Sequence, residues 1–280
     1  MVTPGVELIE LEDGIYARLH AGLTNAGIII GDSGVLIIDS LRVPSFARDL
    51  IQDVRHITSK PIQYVINTHS HWDHAWGNEE FPDAAIIGHE NCYREMTDLE
   101  GNREWLERII SRNDPVSAEA RLVNITPPNL TFETKMQLFY GGREINLLYF
   151  GKAHTSGDIF IHLPKEKIVF TGDVAQDRGV PYFGDSYPKE WPATDDLLVQ
   201  LPIERFVSGH GPVGNHETLS EARDFIHILV ESLQTAIQEG QDEASTSMSV
   251  VEALRPRFCE LRGFDRIEES LAGLYQKLIS

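Results

Sequence analysis

Each half of the chain contains an apolar hairpin that ends in an aspartate, and this weak internal repeat constrains the fold more than any other feature. In the first half the strand 35–38 runs into Asp39, and in the second half the strand 168–170 leads to Asp173. A short turn precedes both strands, as expected for hairpins. Two α/β halves of this kind would pack as two sheets covered by helices, so the sequence predicts the α/β fold class.

Other apolar segments are assigned as strands or helices from their period and length. Further strands are predicted at 28–30, 62–66, 84–87, 136–140, 144–150, 159–163 and 205–207. Helices are predicted at 44–57, over most of 90–122, and near 193–200. The first of these helices has apolar residues at the spacing of one buried face.

Beyond residue 217 the strand signal disappears. Residues 217–240 have the apolar spacing of an amphipathic helix, and a polar linker is predicted at 241–249, with more helix after it. We interpret 217–280 as a helical C-terminal extension packed on the same domain as 1–216. It would serve as a cap or as the contact of a homodimer.

The formal net charge is −19, and no stretch of the chain is basic. Nucleic-acid binders usually present a basic face to phosphates, so no nucleic-acid partner is expected and a small neutral substrate fits better. No apolar run approaches the roughly 18 residues of a membrane span. The N-terminus has neither a basic start nor an apolar stretch, which predicts a cytoplasmic protein, or a secreted one whose leader has been removed. Cys92 and Cys259 are too few for a disulfide framework and are interpreted as incidental thiols.

Three histidines and an aspartate fall within six residues, at His69, His71, Asp73 and His74. They follow the apolar strand 62–66, so His69 and His71 lie two apart on extended chain and point to the same side. Asp73 and His74 come where the chain should turn into a helix. Imidazole and carboxylate donors suit zinc, and also iron or manganese. Four donors from one loop are more than one ion conveniently uses, which favours a two-metal site.

This segment resembles the HxHxDH signature of the metallo-β-lactamase superfamily. Three later motifs resemble the family's remaining ligand positions in order: His154 in GKAHTSGD, Asp173 in FTGD, and His210 in SGHGP. The resemblance covers most of residues 1–216, which it identifies as the catalytic domain. It implies an αββα four-layer sandwich, the metallo-β-lactamase fold, with 217–280 as its helical extension.

The same resemblance implies a role for each of these side chains. The ligands of the first metal would be His69, His71 and His154. The ligands of the second would be Asp73, His74 and His210, and Asp173 would bridge both. The implied cofactor is a pair of Zn²⁺ ions, with iron or manganese as alternatives. Such an enzyme attacks a carbonyl carbon with metal-bound hydroxide. Asp73 would be a catalytic residue that orients this hydroxide or passes its proton to the leaving group.

Asp173 narrows the expected function. The family's dedicated β-lactamases resemble one another in carrying cysteine or serine at this position, whereas its thioesterases, lactonases and phosphodiesterases carry aspartate. The resemblance therefore implies a hydrolase of a small neutral or cyclic carbonyl substrate, such as an ester, lactone or thioester, with β-lactams as promiscuous substrates. Two alternatives stay open: a dedicated metallo-β-lactamase, and a non-hydrolytic, iron-dependent oxidoreductase of the same superfamily.

Aromatic residues near the ligands are candidates for the substrate pocket. The substrate-binding residues predicted from the sequence are Trp72, Trp76, Tyr182 and Tyr187. Segment 176–191, rich in glycine, proline and aromatic residues, is expected to form a substrate loop. Core packing is the alternative for the two tryptophans, and an ordinary connection is the alternative for the loop. Asp39 is a candidate acceptor for the outer nitrogen of a ligand histidine, with a structural role as its alternative.

Overall fold

Two β-sheets of seven and six strands form the centre of the structure, a computed structural model that describes residues 3–280. The first sheet consists, in spatial and chain order, of β1 (Val6–Glu12), β2 (Ile15–His20), β3 (Ala26–Ile30), β4 (Val35–Ile38), β5 (Ile62–Ile66), β6 (Ala85–His89) and β7 (Leu130–Phe132). The second consists of β8 (Lys135–Tyr140), β9 (Arg143–Leu148), β10 (Phe160–Leu163), β11 (Ile168–Gly172), β12 (Arg205–Ser208) and β13 (Val213–Asn215).

Most neighbouring strands are antiparallel, but each sheet also contains parallel pairs. In the first sheet β4, β5, β6 and β7 pair in parallel, and in the second β11 pairs in parallel with β12. The carboxyl ends of parallel strands meet at one edge of a sheet, which is where such sheets present binding loops. A functional site is therefore expected in the segments that follow β4, β5, β11 and β12.

Helices follow the strands and cover the outer faces of the two sheets. They are α1 (Pro44–Ile57), α2 (Trp72–Ala75), α3 (Glu90–Thr97), α4 (Leu99–Ser111), α5 (Pro115–Ala120), α6 (Trp191–Leu198), α7 (His216–Gln238), α8 (Glu243–Phe258) and α9 (Glu268–Ile279), with 3₁₀ turns at Trp76–Glu80 and Phe264–Arg266. Within residues 3–280, no helix is both long and apolar enough to span a bilayer.

The alternation of side chains along each strand produces three apolar layers. Ile29 and Leu36 belong to a buried cluster between the two sheets, whereas their neighbours Ile28 and Ile37 pack outward against α1. On the other side, Phe206 packs in a third cluster with residues of α6 to α9. Because successive residues face opposite sides of a strand, short apolar runs bury both faces of a sheet. The arrangement confirms the αββα sandwich.

The C-terminal helices share one buried cluster with the second sheet. Phe225 of α7, Leu254 of α8 and Leu274 of α9 pack in the same cluster as Phe160 and Phe206. The division of the chain at residue 216 and the homodimer stay predictions.

The polar linker predicted at 241–249 is wrong, because α8 begins at Glu243. The Asp242 side chain accepts a hydrogen bond from the Ser245 amide and so caps this helix. Thr246, Val250 and Leu254 then follow at a spacing of four and are buried. Packing of this stripe stabilises a helix that the polar composition of its first turns does not favour.

Candidate metal centre

All seven predicted ligands lie in loops at strand ends or in the first turn of α2. In chain order they are His69 and His71 after β5, Asp73 and His74 in α2, His154 between β9 and β10, Asp173 after β11, and His210 after β12. The parallel pairs of both sheets end at the same edge of the sandwich, and this places residues far apart in sequence around one point.

The side chains form three overlapping groups that could each hold a metal ion. The groups are His69, His71 and His154; His69, His74 and Asp173; and Asp73, His74 and His210, with one donor atom per residue and all donor atoms of a group within 4.8 Å of one another. The structure therefore brings together every residue of the predicted set. Their roles as ligands stay predictions.

Asp173 lies between the two ends of this arrangement. Its Oδ2 atom is 3.7 Å from His154 Nε2 and 3.3 Å from His210 Nε2. Its Oδ1 atom is 3.4 Å from His74 Nε2. A carboxylate within reach of both histidine groups suits the bridging position that the sequence predicts for it.

Two glycines allow the loops to approach this closely. A Cβ atom at Gly209 would lie 2.1 Å from Asp173 Oδ1 and 2.6 Å from His74 Cε1, so no side chain fits there. Gly172 has a φ of +53°, and a Cβ atom there would lie 2.8 Å from Thr68 Oγ1. Space therefore requires a glycine at both positions, and the backbone conformation requires one at Gly172 as well.

Three buried polar atoms of the centre have no hydrogen-bond partner within the described part of the chain: His69 Nε2, His74 Nε2 and Asp173 Oδ1. They belong to the same group of potential ligands. Unpaired buried polar atoms cost free energy, and native structures rarely keep several of them in one place. Two imidazole nitrogens and a carboxylate oxygen are suitable donors for zinc, so this donor set fits a bound cation.

The carboxylates of the centre attract positive charge. Burial lowers the pKa of His210, but the neighbouring Asp173 and Asp73 outweigh it and raise this pKa to about 10. For His74, the same two carboxylates also outweigh burial and raise the pKa well above its usual range. This part of the site therefore favours a cation, as a metal position must.

The histidines on the other side are held neutral. Burial, followed by the nearby His71, lowers the pKa of His154 to about 3. Burial also lowers the pKa of His69 well below its usual value, with His74 as the next cause. Neutral imidazole is the form that binds metal ions, so no proton has to be displaced from these two rings at neutral pH.

Asp39 fixes two of the histidines through its buried carboxylate. Its Oδ2 accepts hydrogen bonds from His74 Nδ1 at 2.8 Å and from Thr68 Oγ1 at 2.8 Å. Thr68 Oγ1 also lies 3.0 Å from His69 Nδ1, whose proton it can accept. The proposed acceptor role of Asp39 is therefore present in the structure, and it leaves both Nε2 atoms directed at the centre.

The other three histidines also have an oxygen acceptor at the ring nitrogen that faces away from the centre. His71 Nε2 lies 3.1 Å from Asp185 Oδ2, so its Nδ1 atom faces the centre, 2.9 Å from His154 Nε2. His154 Nδ1 lies 3.0 Å from the Tyr182 carbonyl, and His210 Nδ1 lies 3.2 Å from that of Leu23. Every ring is thus oriented from outside, as metal-binding histidines generally are.

Asp73, the predicted catalytic residue, is held at one oxygen. Its Oδ2 atom accepts a hydrogen bond from Thr24 Oγ1 at 3.0 Å and lies 3.3 Å from His210 Nε2. Burial raises the pKa of Asp73, but His74 and His210 outweigh it and hold this pKa far below the usual range. Asp73 is therefore a carboxylate at any physiological pH.

Comparison with known proteins identifies the family. The model of the metallo-beta-lactamase superfamily matches residues 20–210, which include all seven predicted ligands. The chain belongs to the metallo-beta-lactamase superfamily. This membership confirms the resemblance that the sequence motifs indicate.

Individual superfamily relatives are distant. A metallo-beta-lactamase type 2 from Elizabethkingia meningoseptica is 22% identical over 236 residues, covering 80% of this chain and 86% of its own length. The 2,4-dinitroanisole O-demethylase subunit alpha of Nocardioides sp. (strain JS1661) is 26% identical over 206 residues, covering 71% of this chain but 54% of its own length. A solved metallo-beta-lactamase from Pontibacter korlensis has a TM-score of 0.66 at 18% identity, covering 79% of this chain and 99% of its own. The last similarity shows the fold.

A cavity of about 570 Å³ opens beside His71 in this superfamily member. Aromatic side chains form much of its wall: Trp72, Trp76, Trp105 and Tyr187. Carboxyl groups line it as well: Glu95, Asp98, Asp185 and Glu190. A concave, largely apolar space next to a cluster of polar donors is the usual form of a small-molecule site.

The four predicted substrate-binding residues lie in different surroundings. Trp72 and Trp76 are buried against Val43 and also line the cavity, so the packing and pocket interpretations both describe them. Tyr187 lines the cavity too, whereas Tyr182 is not among its lining residues within 3–280. The Tyr182 ring lies 6.1 Å from that of His71, and its hydroxyl accepts a hydrogen bond from Arg108. Their binding roles stay predictions.

Sequence reasoning missed Trp105, Asp185 and Thr24. Trp105 lies on α4, and its ring centre is 5.3 Å from that of His71. No motif marks it, and only its position in a polar helix next to the predicted pocket could have drawn attention to it. Asp185 falls inside the predicted substrate loop 176–191, and no motif distinguishes it from the other polar residues of that loop.

Proposed function

We propose that the chain is a dinuclear zinc hydrolase that cleaves a carbonyl bond in a small neutral or cyclic substrate: an ester, lactone or thioester, and promiscuously a β-lactam. The overlap of the ligand groups carries this proposal. His69 belongs to two of the three groups and His74 to two, so the donors form one continuous set around adjacent positions. A single ion would leave part of this set unpaired and buried, at a cost in free energy.

When bound, two zinc ions would polarise the substrate carbonyl and lower the pKa of water. His69, His71 and His154 would hold the first ion, Asp73, His74 and His210 the second, and Asp173 would contact both. The carboxylate of Asp73, held at Oδ2 by Thr24, would accept a proton at its other oxygen and transfer it to the leaving group.

The cavity beside His71 supports a neutral substrate. Trp105 and Tyr187 offer apolar surface, and Trp105 lies within reach of the first ligand group. Four acidic residues line the same space (Glu95, Asp98, Asp185 and Glu190) against two lysines (Lys189 and Lys277), and this excess of negative charge disfavours an anionic substrate. The aromatic walls support binding of an aryl or other apolar group on the acyl or leaving-group side.

Two kinds of relative suggest further substrates for the test. β-Lactams belong in it because several relatives are metallo-beta-lactamases. The demethylase relative acts on 2,4-dinitroanisole, an uncharged aromatic compound, which also suits an aromatic pocket. Aspartate at position 173 favours general carbonyl hydrolysis over a dedicated β-lactamase.

A kinetic panel tests the proposal directly. Nitrocefin, homoserine lactones, aryl esters, thioesters and 2,4-dinitroanisole are assayed with and without a chelator, and metal is quantified by atomic emission. We expect two zinc ions per chain and chelator-sensitive turnover of at least one carbonyl substrate. His71→Ala should abolish this turnover, whereas the control His56→Ala, on the outer helix α1, should retain it. One iron per chain, or full turnover by His71→Ala, would overturn the proposal.

A further inference from the structure

Lys277, on the last helix of the structure, is bound to the loop beside His71 and His154 of the candidate metal centre. This residue lies on α9, and its ammonium group donates to three backbone carbonyls: those of Gly184 at 2.7 Å, Ser186 at 2.7 Å and Phe183 at 3.2 Å. An ammonium group has three protons, so these contacts use its full donor capacity. The side chain is therefore committed to this loop.

The same loop carries the outer partners of two predicted ligands. The Tyr182 carbonyl faces His154 Nδ1 at 3.0 Å, and Asp185 Oδ2 faces His71 Nε2 at 3.1 Å. Both histidines belong to the group that would hold the first metal. The other end of the candidate centre has different supports: Asp39 orients His74, and the Leu23 carbonyl faces His210.

The loop has fixed points of its own, including a turn in which the buried Ser186 donates from its amide and its hydroxyl to the Phe183 carbonyl, but none of them holds the Asp185 carboxylate. The buried Phe183 side chain packs against Trp191, and the Tyr187 amide donates to the Ala153 carbonyl. Between these points the Asp185 side chain is 43% exposed, so packing alone does not hold its carboxylate against His71. Three charge-assisted hydrogen bonds from one ammonium group fix the backbone on both sides of Asp185.

We propose that Lys277 is a positioning residue for the first metal: it holds loop 182–186 so that Asp185 and the Tyr182 carbonyl orient His71 and His154. The inference rests on the proposed two-metal centre. It also assigns a role to the C-terminal extension, since α9 completes the support of a site formed by the two sheets. The second metal, supported from Asp39 and Leu23, is independent of this contact.

Zinc affinity of matched variants tests the inference. Lys277→Met keeps the unbranched apolar part of the side chain and removes its donors. Gln276→Met is the control, because Gln276 lies on the same helix turn but donates to Glu243 of α8 instead of the loop. Lys277→Arg restores a cationic donor. The two zinc dissociation constants are measured by chelator competition, and hydrogen exchange reports on the amides of 183–187.

We expect Lys277→Met to raise one of the two zinc dissociation constants by about 10-fold. This is the lower end of the loss in metal affinity when a hydrogen-bond partner of a ligand histidine is removed. Binding of the other ion should change by less than about 2-fold. Loop amides should exchange faster, Gln276→Met should match the wild type, and Lys277→Arg should recover part of the loss. Equal weakening of both ions, no weakening, or the same loss in Gln276→Met would overturn the inference.

A double variant tests the route through Asp185. If Lys277 acts through that carboxylate, adding Lys277→Met to Asp185→Asn should weaken zinc binding less than the sum of the two single losses. Additive losses would contradict the route. Thermal unfolding of the metal-free variants shows that each is folded. Because zinc binding is measured without substrate, a chain that turns over none of the panel would refute the proposed function and leave this inference in place.

Discussion

Replacement of Asp39 by Asn perturbs the candidate centre without replacing a predicted ligand. The Asp39 side chain is buried, and it accepts hydrogen bonds from the Thr68 amide, from Thr68 Oγ1 and from His74 Nδ1, each at 2.8 Å. Its φ is +62°, a conformation that Asn tolerates better than Ala. Asn therefore changes the hydrogen-bonding chemistry while keeping the size and backbone of the native residue.

The expected loss of zinc affinity depends on which ring nitrogen of His74 carries the proton. In the metal-bound form, the single proton of His74 would lie on Nδ1, where the native Asp39 carboxylate accepts it, and Nε2 would bind the metal. An amide NH₂ group in place of Oδ2 cannot accept this proton, so it favours the tautomer that is protonated at Nε2. Zinc must then displace a proton or bind a misoriented ring. Loss of such a partner typically weakens metal binding 10- to 100-fold, or about 1.4–2.8 kcal/mol.

Zinc competition with a chromophoric chelator measures this effect. We expect Asp39→Asn to weaken the ion bound by His74 by 10- to 100-fold, with turnover restored at high zinc concentration. Asp32→Asn, in the exposed hairpin turn between β3 and β4, removes the same charge far from the centre and should bind zinc like the wild type. Wild-type affinity for both ions in a folded Asp39→Asn variant would refute the reasoning.

Three further variants test the close packing at Gly209, the buried ion pair of Arg18, and the effect of Asp158 on the pH dependence of stability. Gly209→Ala should reduce turnover by at least about 100-fold, because its Cβ would lie 2.1 Å from Asp173 Oδ1 and displace that carboxylate. Arg18→Met should lower the free energy of unfolding in urea by about 3–5 kcal/mol, because Arg18 and Asp53 form a buried ion pair at 2.7 Å. Burial raises the pKa of Asp158 to about 7. Between pH 4 and 7 the unfolded chain therefore releases a proton that the folded chain keeps, stability falls as pH rises, and Asp158→Asn should remove this component.

Each of these variants has a control and an outcome that contradicts it. Gly273→Ala, where a Cβ atom meets no described atom within 4 Å, should leave turnover unchanged, and full activity of the Gly209 variant would refute the steric argument. Arg48→Met removes half-exposed ion pairs and should cost less than about 1 kcal/mol. An equally small loss for Arg18→Met would contradict the buried-pair argument. For Asp158, identical pH dependence of unfolding in variant and wild type would show that its carboxyl group ionises normally.

Much of the fold and of the candidate site could be predicted from local sequence. Short apolar runs such as Val35–Ile38 determine strands, because residues on both of their faces are buried in adjacent layers. His69, His71, Asp73 and His74 meet because they share one strand-to-helix loop. The position of Asp39 at the end of β4 made it a candidate partner, and its contact with His74 is present.

Other features of the structure could not be predicted from local sequence. The first turns of α8 are polar, and the burial of Thr246, Val250 and Leu254, together with the Asp242 cap, stabilises this segment as a helix. Trp105 lies on α4, and its approach to His71 depends on how that helix crosses the loop. Periodicity tells which face of a helix is buried, but it does not tell which side chains of another element that face meets.

The sequence by itself determined the layered α/β fold, the family and the residues that converge on one centre, because strand periodicity, loop glycines and donor spacing are local properties. Only the tertiary structure decided how those residues are held. Asp185 and Lys277 are 92 positions apart, yet both fix the loop beside His71 and His154. Such contacts depend on the packing of α9 against α7 and α8, and no short stretch of sequence determines which distant residues that packing brings together.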